Sequence, residues 1–468
     1  MSDAMRASVL KSRIARLPHL PAIHPGESSE SSQQSNNNMG PPPPSLGQPR
    51  KHRNQAPGAF SPIASGDCFE QALEIDVQFP EGGSSTTATF RVYYTPPKVR
   101  KSPATKANAE VDLDLDSLQP PTLADDDEEE EGEDAGDEGD GLGTVFVLHH
   151  GAGYSGLSYA LAAREITKLT KGQAGVLSLD CRGHGKTRVE PPESSTDMSL
   201  TTLSSDLILV LQTMFGTSSP WPKLLFVGHS MGGSVVTKTV EQLLSTKPPP
   251  VSITGLAVLD VVEGTALDAL DGMEAIVKAQ PGGFGSVEDA IRWHVDGGVL
   301  MNVESARRSV PSLLIPNPAF RELGGDAGLD EEEEEDEEEV LQDDGRGTEE
   351  GGMSTVQYKV KWKADLLATA PYWRGWFEGM SQRFLTSRTA RLLLLAGTDR
   401  LDKELMIGQM QGKYQLVVFP EVGHCLHEDA PERTAQVLVD FWRRNQQSVV
   451  PIAKLRAHTQ QAPRTLGV

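Results

Sequence analysis

Ser230 lies in Gly228-His229-Ser230-Met231-Gly232-Gly233, directly after the apolar run Leu224-Leu225-Phe226-Val227. The spacing G-x-S-x-G suits a strand that turns sharply into a helix. The glycines leave room for a strained turn that lifts the serine hydroxyl above a sheet, and the helix that follows aims its N-terminus at a reacting carbonyl. The chemistry implied is nucleophilic attack on an acyl group. A serine hydroxyl is a weak nucleophile at its own pKa, so it needs a general base, a carboxylate that orients the base, and donors for the oxyanion.

Each requirement has candidates in a workable chain order. His424, in Glu421-Val422-Gly423-His424-Cys425-Leu426-His427-Glu428-Asp429, follows the last apolar run and is the expected base, with His427 as rival. The loop His149-His150-Gly151-Ala152-Gly153 follows the run Thr144 to Leu148, and its expected donors are the backbone N–H of Met231 and that of Ala152. His149, His150, His184 and His229 each sit beside a motif and are expected to orient loops; Cys425 is expected to pack. Position leaves the acid open. Asp260 ends one apolar run, Asp399 and Asp402 follow the next, and either place reaches the base.

The elements that must hold these residues are short apolar runs: 144–148, 175–179, 223–227, 255–259, 391–395 and 416–419, with helical spacing at 233–244 and 430–446. Short buried strands alternating with helices imply an α/β fold with a mostly parallel sheet covered on both faces. Ahead of them, 78–79 and 87–94 alternate like an antiparallel hairpin broken by Gly82-Gly83. Between Val262 and Arg391 lie far more residues than a crossover needs, so a helical lid is expected at 264–388. Its helical patterns fall at 266–279, 287–295 and 302–309. Trp373, Trp376 and Arg307 are its candidates for substrate contact, although packing of the lid onto the body is the commoner use of such aromatics.

The chain has 468 residues and a formal charge of −23, but the charge is local. Residues 125–140 carry 12 acidic and no basic side chains, and 326–350 carry 15 acidic against Arg346; without their −26 the rest is close to +3. Such runs read as solvated loops and argue against nucleic acid. Residues 1–60, rich in Pro, Ser, Asn and Gln, read as a disordered arm; 97–143 reads as an acidic insertion and 446–468 as a tail. The body is then 61–445. Three cysteines without metal-ligand spacing suit a reducing compartment, so a cytoplasmic and/or nuclear setting is expected, with no metal and no cofactor. The basic start Met5 to Arg16 resembles a transit peptide but lacks a secretory apolar core, and no run nears the roughly 20 apolar residues of a membrane span.

Several strings are similar to those of the protein phosphatase methylesterases, a family of α/β-hydrolases. They are His150 to Ser158, Leu179 to Thr187, the elbow, Leu259-Asp260-Val261-Val262-Glu263-Gly264-Thr265-Ala266, Glu304-Ser305-Ala306-Arg307, Trp373 to Phe377, and Leu393 to Pro431 with Gly408-Gln409-Met410-Gln411-Gly412-Lys413. Ala152 and Tyr154 depart from the Gly and His expected in the oxyanion loop. The resemblance implies Asp260 as the triad acid, no cofactor, and hydrolysis of the methyl ester on the C-terminal leucine of the protein phosphatase 2A catalytic subunit. Two other readings stay open: a generic small-molecule carboxylesterase of the same fold, and a non-catalytic phosphatase-binding regulator.

Overall fold

The computed structural model describes residues 58–79, 86–98, 142–216, 220–246, 251–321, 358–397 and 401–446. Both acidic runs, the arm up to residue 57, Gly82-Gly83, Asp399 and the tail after 446 lie outside the described residues. The strands are β1 (Gln71–Gln78), β2 (Thr87–Thr95), β3 (Thr144–His149), β4 (Ala174–Leu179), β5 (Arg188–Glu190), β6 (Lys223–His229), β7 (Ile253–Leu259), β8 (Leu314–Pro316), β9 (Val360–Trp362), β10 (Arg391–Ala396) and β11 (Gln415–Phe419). Nine of them form one mixed sheet in the order β1-β2-β4-β3-β6-β7-β10-β11, with β5 also on β2. From β4 to β11 every pairing is parallel, while β1, β2 and β5 pair antiparallel.

The central strands are apolar without interruption because both of their faces are covered. Alternate residues serve opposite layers. Val145, Val147, Leu224, Phe226, Leu256 and Val258 face one core, filled from α2 (Leu200–Phe215) and α3 (Met231–Ser245). Phe146, Leu148, Leu225, Val227, Ala257 and Leu259 face the other, filled from α1 (Ala160–Leu169) and the C-terminal helix Pro431–Gln446. The hairpin is longer than the sequence suggested: β1 starts at Gln71, its polar alternation reflecting an edge strand with one solvated face.

Between β7 and β10 the chain builds α4 (Glu263–Lys278), α5 (Val287–Asp296), α6 (Val303–Ser309), α7 (Trp373–Phe377) and α8 (Met380–Thr386), together with the pair β8 and β9. The candidates for substrate contact are found here in packing roles. Trp373 and Trp376 are 7% and 3% exposed and belong to the core beside α3; their indole N–H groups donate to the Thr369 hydroxyl at 2.8 Å and the Met198 carbonyl at 2.7 Å. They fasten the insertion to the body. Arg307 donates through Nε to the Ser61 carbonyl, and Arg308 reaches the Ala64 carbonyl and Asp67. The two arginines therefore hold the segment before β1 against α6. Phe60, read as the end of the arm, is buried in a third core with Phe284, Val287 and Ile291, under the Arg292 guanidinium at 4.9 Å from its ring.

Phe60→Ala removes a buried ring from a site that closes around it, and its expected cost is about 3 kcal/mol, the lower end for such truncations. A clear fall in the urea midpoint is the expected outcome, and an unchanged midpoint would mean the segment before β1 adds nothing to stability.

Candidate active site

Ser230 sits between β6 and α3 with φ 52° and ψ −121°, a conformation that L residues avoid. The neighbouring glycines are forced by the crowding of the backbone. A Cβ on Gly228 would lie 2.2 Å from the Gly232 carbonyl oxygen, and one on Gly232 would lie 2.2 Å from that of His149. Both obstacles are main chain and cannot yield. The turn is tied to the next strand by Ser230 N–H donating to the Leu259 carbonyl at 3.0 Å. Met231 is the first residue of α3, so its N–H has no partner within the helix.

Asp260 follows β7 with a positive φ of 51°. Its own N–H donates to the Leu394 carbonyl at 2.7 Å, and one carboxylate oxygen accepts the Ala396 N–H at 2.6 Å, so β10 locks the side chain. The other oxygen lies 2.7 Å from Nδ1 of His424. A carboxylate only accepts, which puts the imidazole proton on Nδ1 and leaves Nε2 with a lone pair. The Asp260 side chain is 7% exposed and that of His424 is 41% exposed. Asp402, the other described alternative, instead caps α9 (Lys403–Met410), accepting the Leu405 N–H at 2.8 Å.

His424 stands against the elbow. Its ring centroid is 4.5 Å from that of His229, and its carbonyl accepts from Nε2 of His229 at 3.0 Å. The loop after β3 crosses the same place: a Cβ on Gly151 would lie 3.2 Å from the Ser230 Cβ. Ala152 is half-buried in that loop.

The other described histidines around the site are buried and held neutral. Burial lowers His149 and His184 to about 4 and His427 to about 3, and pushes His150 and His229 well down. His427, the rival base, is fully buried between Tyr159 and His229, at ring distances of 4.3 and 4.6 Å. Burial and the nearby Glu428 raise the Cys425 thiol well above its ordinary value, so it is no nucleophile.

Sequence reasoning gave no role to Glu428 and Asp429, although both follow His424 closely. Glu428 is fully buried on α10 (Leu426–Asp429), where one oxygen accepts from Ser309 at 2.6 Å and Ser305 at 2.8 Å, both on α6. Burial raises its carboxyl to about 8. Asp429 accepts from Gly423 N–H and from Met301 N–H, each at 2.8 Å. The turn that carries His424 is thus bonded to the insertion on both sides. The signal available was a pair of acids close behind a histidine, a pattern common on solvated helix starts. Among the described residues no group of three or more His, Cys, Asp or Glu is placed to hold a metal ion, and no helix is long and apolar enough to cross a membrane.

A parallel sheet with a serine at the turn after one strand, an acid after the next and a histidine after the last is the arrangement of the α/β-hydrolases, and the model of that family matches residues 146–437. The chain belongs to it. Within it, the protein phosphatase methylesterase 1 of Cryptococcus neoformans var. neoformans serotype D is 39% identical over 465 residues, covering 98% of this chain and 96% of that one. That of Neurospora crassa is 47% identical over 325 residues, 66% of each. This chain is accordingly a carboxylic ester hydrolase of the protein phosphatase methylesterase family. Among solved structures, E-2-(acetamidomethylene)succinate hydrolase matches 79% of this chain and 99% of its own at 15% identity, with a TM-score of 0.48.

The folded-state pKa of Glu428, about 8, is raised above its ordinary 4.5, so the stability this group contributes is fully present below pH 4.5 and is lost as pH rises through 8. Glu428→Gln accepts from the same serines without titrating. Urea midpoints taken from pH 5 to 8.5 should fall less steeply in the variant, and identical slopes would mean Glu428 does not keep its proton.

Proposed function

We propose that this chain removes the methyl ester from the C-terminal leucine of the catalytic subunit of protein phosphatase 2A, acting through Ser230, His424 and Asp260. The substrate reading is supported by the names of the relatives. The chemical reading rests on one observation above all: the 2.7 Å bond from His424 Nδ1 to Asp260, beside an elbow that presents Ser230.

Asp260 fixes the His424 tautomer and stabilises the imidazolium that forms. Nε2 of His424 takes the Ser230 proton as Oγ attacks the ester carbonyl, and the Met231 and Ala152 amides hold the oxyanion. His424 then protonates the departing methanol. Water enters, gives its proton to His424 and cleaves the acyl-enzyme, and the proton returns to Ser230 as the free carboxylate leaves. The three cysteines are all free and buried, which agrees with a cytoplasmic and/or nuclear setting.

A protein substrate is supported by the surface. Among the described residues the exposed large apolar side chains are Met301, Leu367, Met406, Ile407 and Met410, and three of these share α9, with Met410 84% exposed. Apolar side chains gathered on one short exposed helix suit a protein partner. The methyl group offers little to recognise, so binding energy from a distance must position the carbonyl.

Ser230→Ala and His424→Ala should each remove nearly all turnover, with the double variant no worse than either, and Asp260→Asn should cost about 10⁴-fold in kcat. A His424→Ala enzyme that keeps a tenth of the activity would overturn the assignment, on the scale of usual triad losses.

Intact methylated phosphatase should be demethylated with a higher kcat/KM than a short methylated peptide of the same ending. Joint Met406→Ser and Met410→Ser substitution should raise KM for the intact partner and leave the peptide unaffected. Equal rates on both substrates, or faster turnover of short acyl esters, would favour a generic esterase.

A further inference from the structure

Two imidazoles of opposite sense fasten the loop that carries Ala152. His150 belongs to the loop: its Nε2 accepts the Cys181 N–H at 3.0 Å, which puts the ring proton on Nδ1, and Nδ1 donates to the Gly151 carbonyl at 2.7 Å. His184 comes from the turn after β4: its Nε2 accepts the Gly153 N–H at 2.9 Å, and Nδ1 donates to the Arg182 carbonyl at 2.9 Å. A backbone N–H is only a donor, so both tautomers follow from the bonds themselves. Burial, which lowers both rings, keeps them uncharged at neutral pH.

The groups they hold belong to consecutive peptide planes. The Gly151 carbonyl and the Ala152 N–H are the two ends of one trans peptide, and the Ala152 carbonyl and the Gly153 N–H are the ends of the next. The His150 proton fixes the plane whose far end is the Ala152 donor, and a hydrogen bond to the carbonyl polarises that N–H and strengthens it. His184 fixes the following plane, so the Ala152 peptide cannot rotate away. The far side of the arrangement is pinned by Asp180, which is fully buried and accepts the Gly156 N–H at 2.7 Å and the Lys186 N–H at 2.9 Å.

We propose that His150 and His184 are positioning residues of the oxyanion hole, a crossed pair of neutral imidazoles that sets the two peptide planes on either side of Ala152. The inference rests on the assignment of Ala152 as an oxyanion donor, and Ser230→Ala separates the two: turnover surviving that substitution would fail the assignment of the site itself.

Asparagine and glutamine discriminate the bonds, because the Asn amide nitrogen stands near Nδ1 and the Gln amide oxygen near Nε2. His150→Asn keeps a donor for the Gly151 carbonyl and His184→Gln keeps an acceptor for the Gly153 N–H; both should stay within about threefold of wild-type kcat. His150→Gln and His184→Asn lose those bonds and should fall about tenfold or more in kcat at unchanged KM, on the scale of a weakened oxyanion donor. Affinity for a boronic acid that forms an adduct on Ser230 should fall in parallel. A merely structural role would lower the melting temperature of all four without the crossed pattern, and equal kcat for Asn and Gln at both positions would overturn the proposal. The wild-type chain gives an independent reading. With ¹⁵N-labelled histidine, the Nδ1–H ring signals of His150 and His184, identified by their loss in the variants, should shift when the boronic adduct forms, and rings that do not respond would also overturn it.

Discussion

The close approach of three backbone segments at Ser230 is the constraint on which the site depends. The turn after β6 folds so tightly on itself and on the end of β3 that two glycines have main-chain oxygens 2.2 Å from where a Cβ would stand, and the Ser230 N–H ties it to the end of β7. Nothing but hydrogen fits there. That proximity brings Ser230, the loop that carries Ala152 and the strand leading to Asp260 into one cluster before any side chain is considered. Two positive-φ residues, Ser230 and Asp260, lie in the same cluster. Strain of this kind costs on the order of 1–3 kcal/mol per residue, and the parallel ladder on either side of β6 and β7 supplies the rigidity that holds it.

Around this point the imidazoles divide into two kinds. Five buried histidines are held neutral, while His424, the one facing Asp260, is well exposed. Four of these rings hydrogen-bond to the scaffold, and His427 packs between Tyr159 and His229. Their lack of charge matters for the proposed mechanism: a buried imidazolium beside His424 would disfavour a proton on that ring.

The sheet was legible because its strands are buried on both faces and read as unbroken apolar runs; 144–148 and 223–227 needed only an added residue or two at their ends. The elbow and the loop at His150 were legible because their residue types are dictated by local crowding. Position did not choose between Asp260 and Asp399, since that turns on which strand end faces His424 across the sheet; only the family resemblance of Leu259 to Ala266 favoured Asp260. Ties between distant segments were equally hidden. Arg307 pointed to a ligand as an exposed-looking arginine on a lid, yet its partner is a carbonyl 246 positions earlier. The role of Glu428 likewise depends on two serines more than a hundred residues away. The short strands β5, β8 and β9 have three residues each, too few to show a period.

The pairing of β8 with β9 sets how the insertion can vary. Leu314 faces Trp362 and Pro316 faces Val360, with Phe284 bridged to Val360 behind them. The two strands that flank residues 317–359 are thus joined at one seam. For a segment closed at such a seam, each doubling of its length costs only about 0.6 kcal/mol. This seam is a natural splice point: foreign sequence, even a whole reporter domain, could be grafted between Pro316 and Val360 with the reacting groups left in register, whereas the same graft between β7 and α4 would pull directly on Asp260.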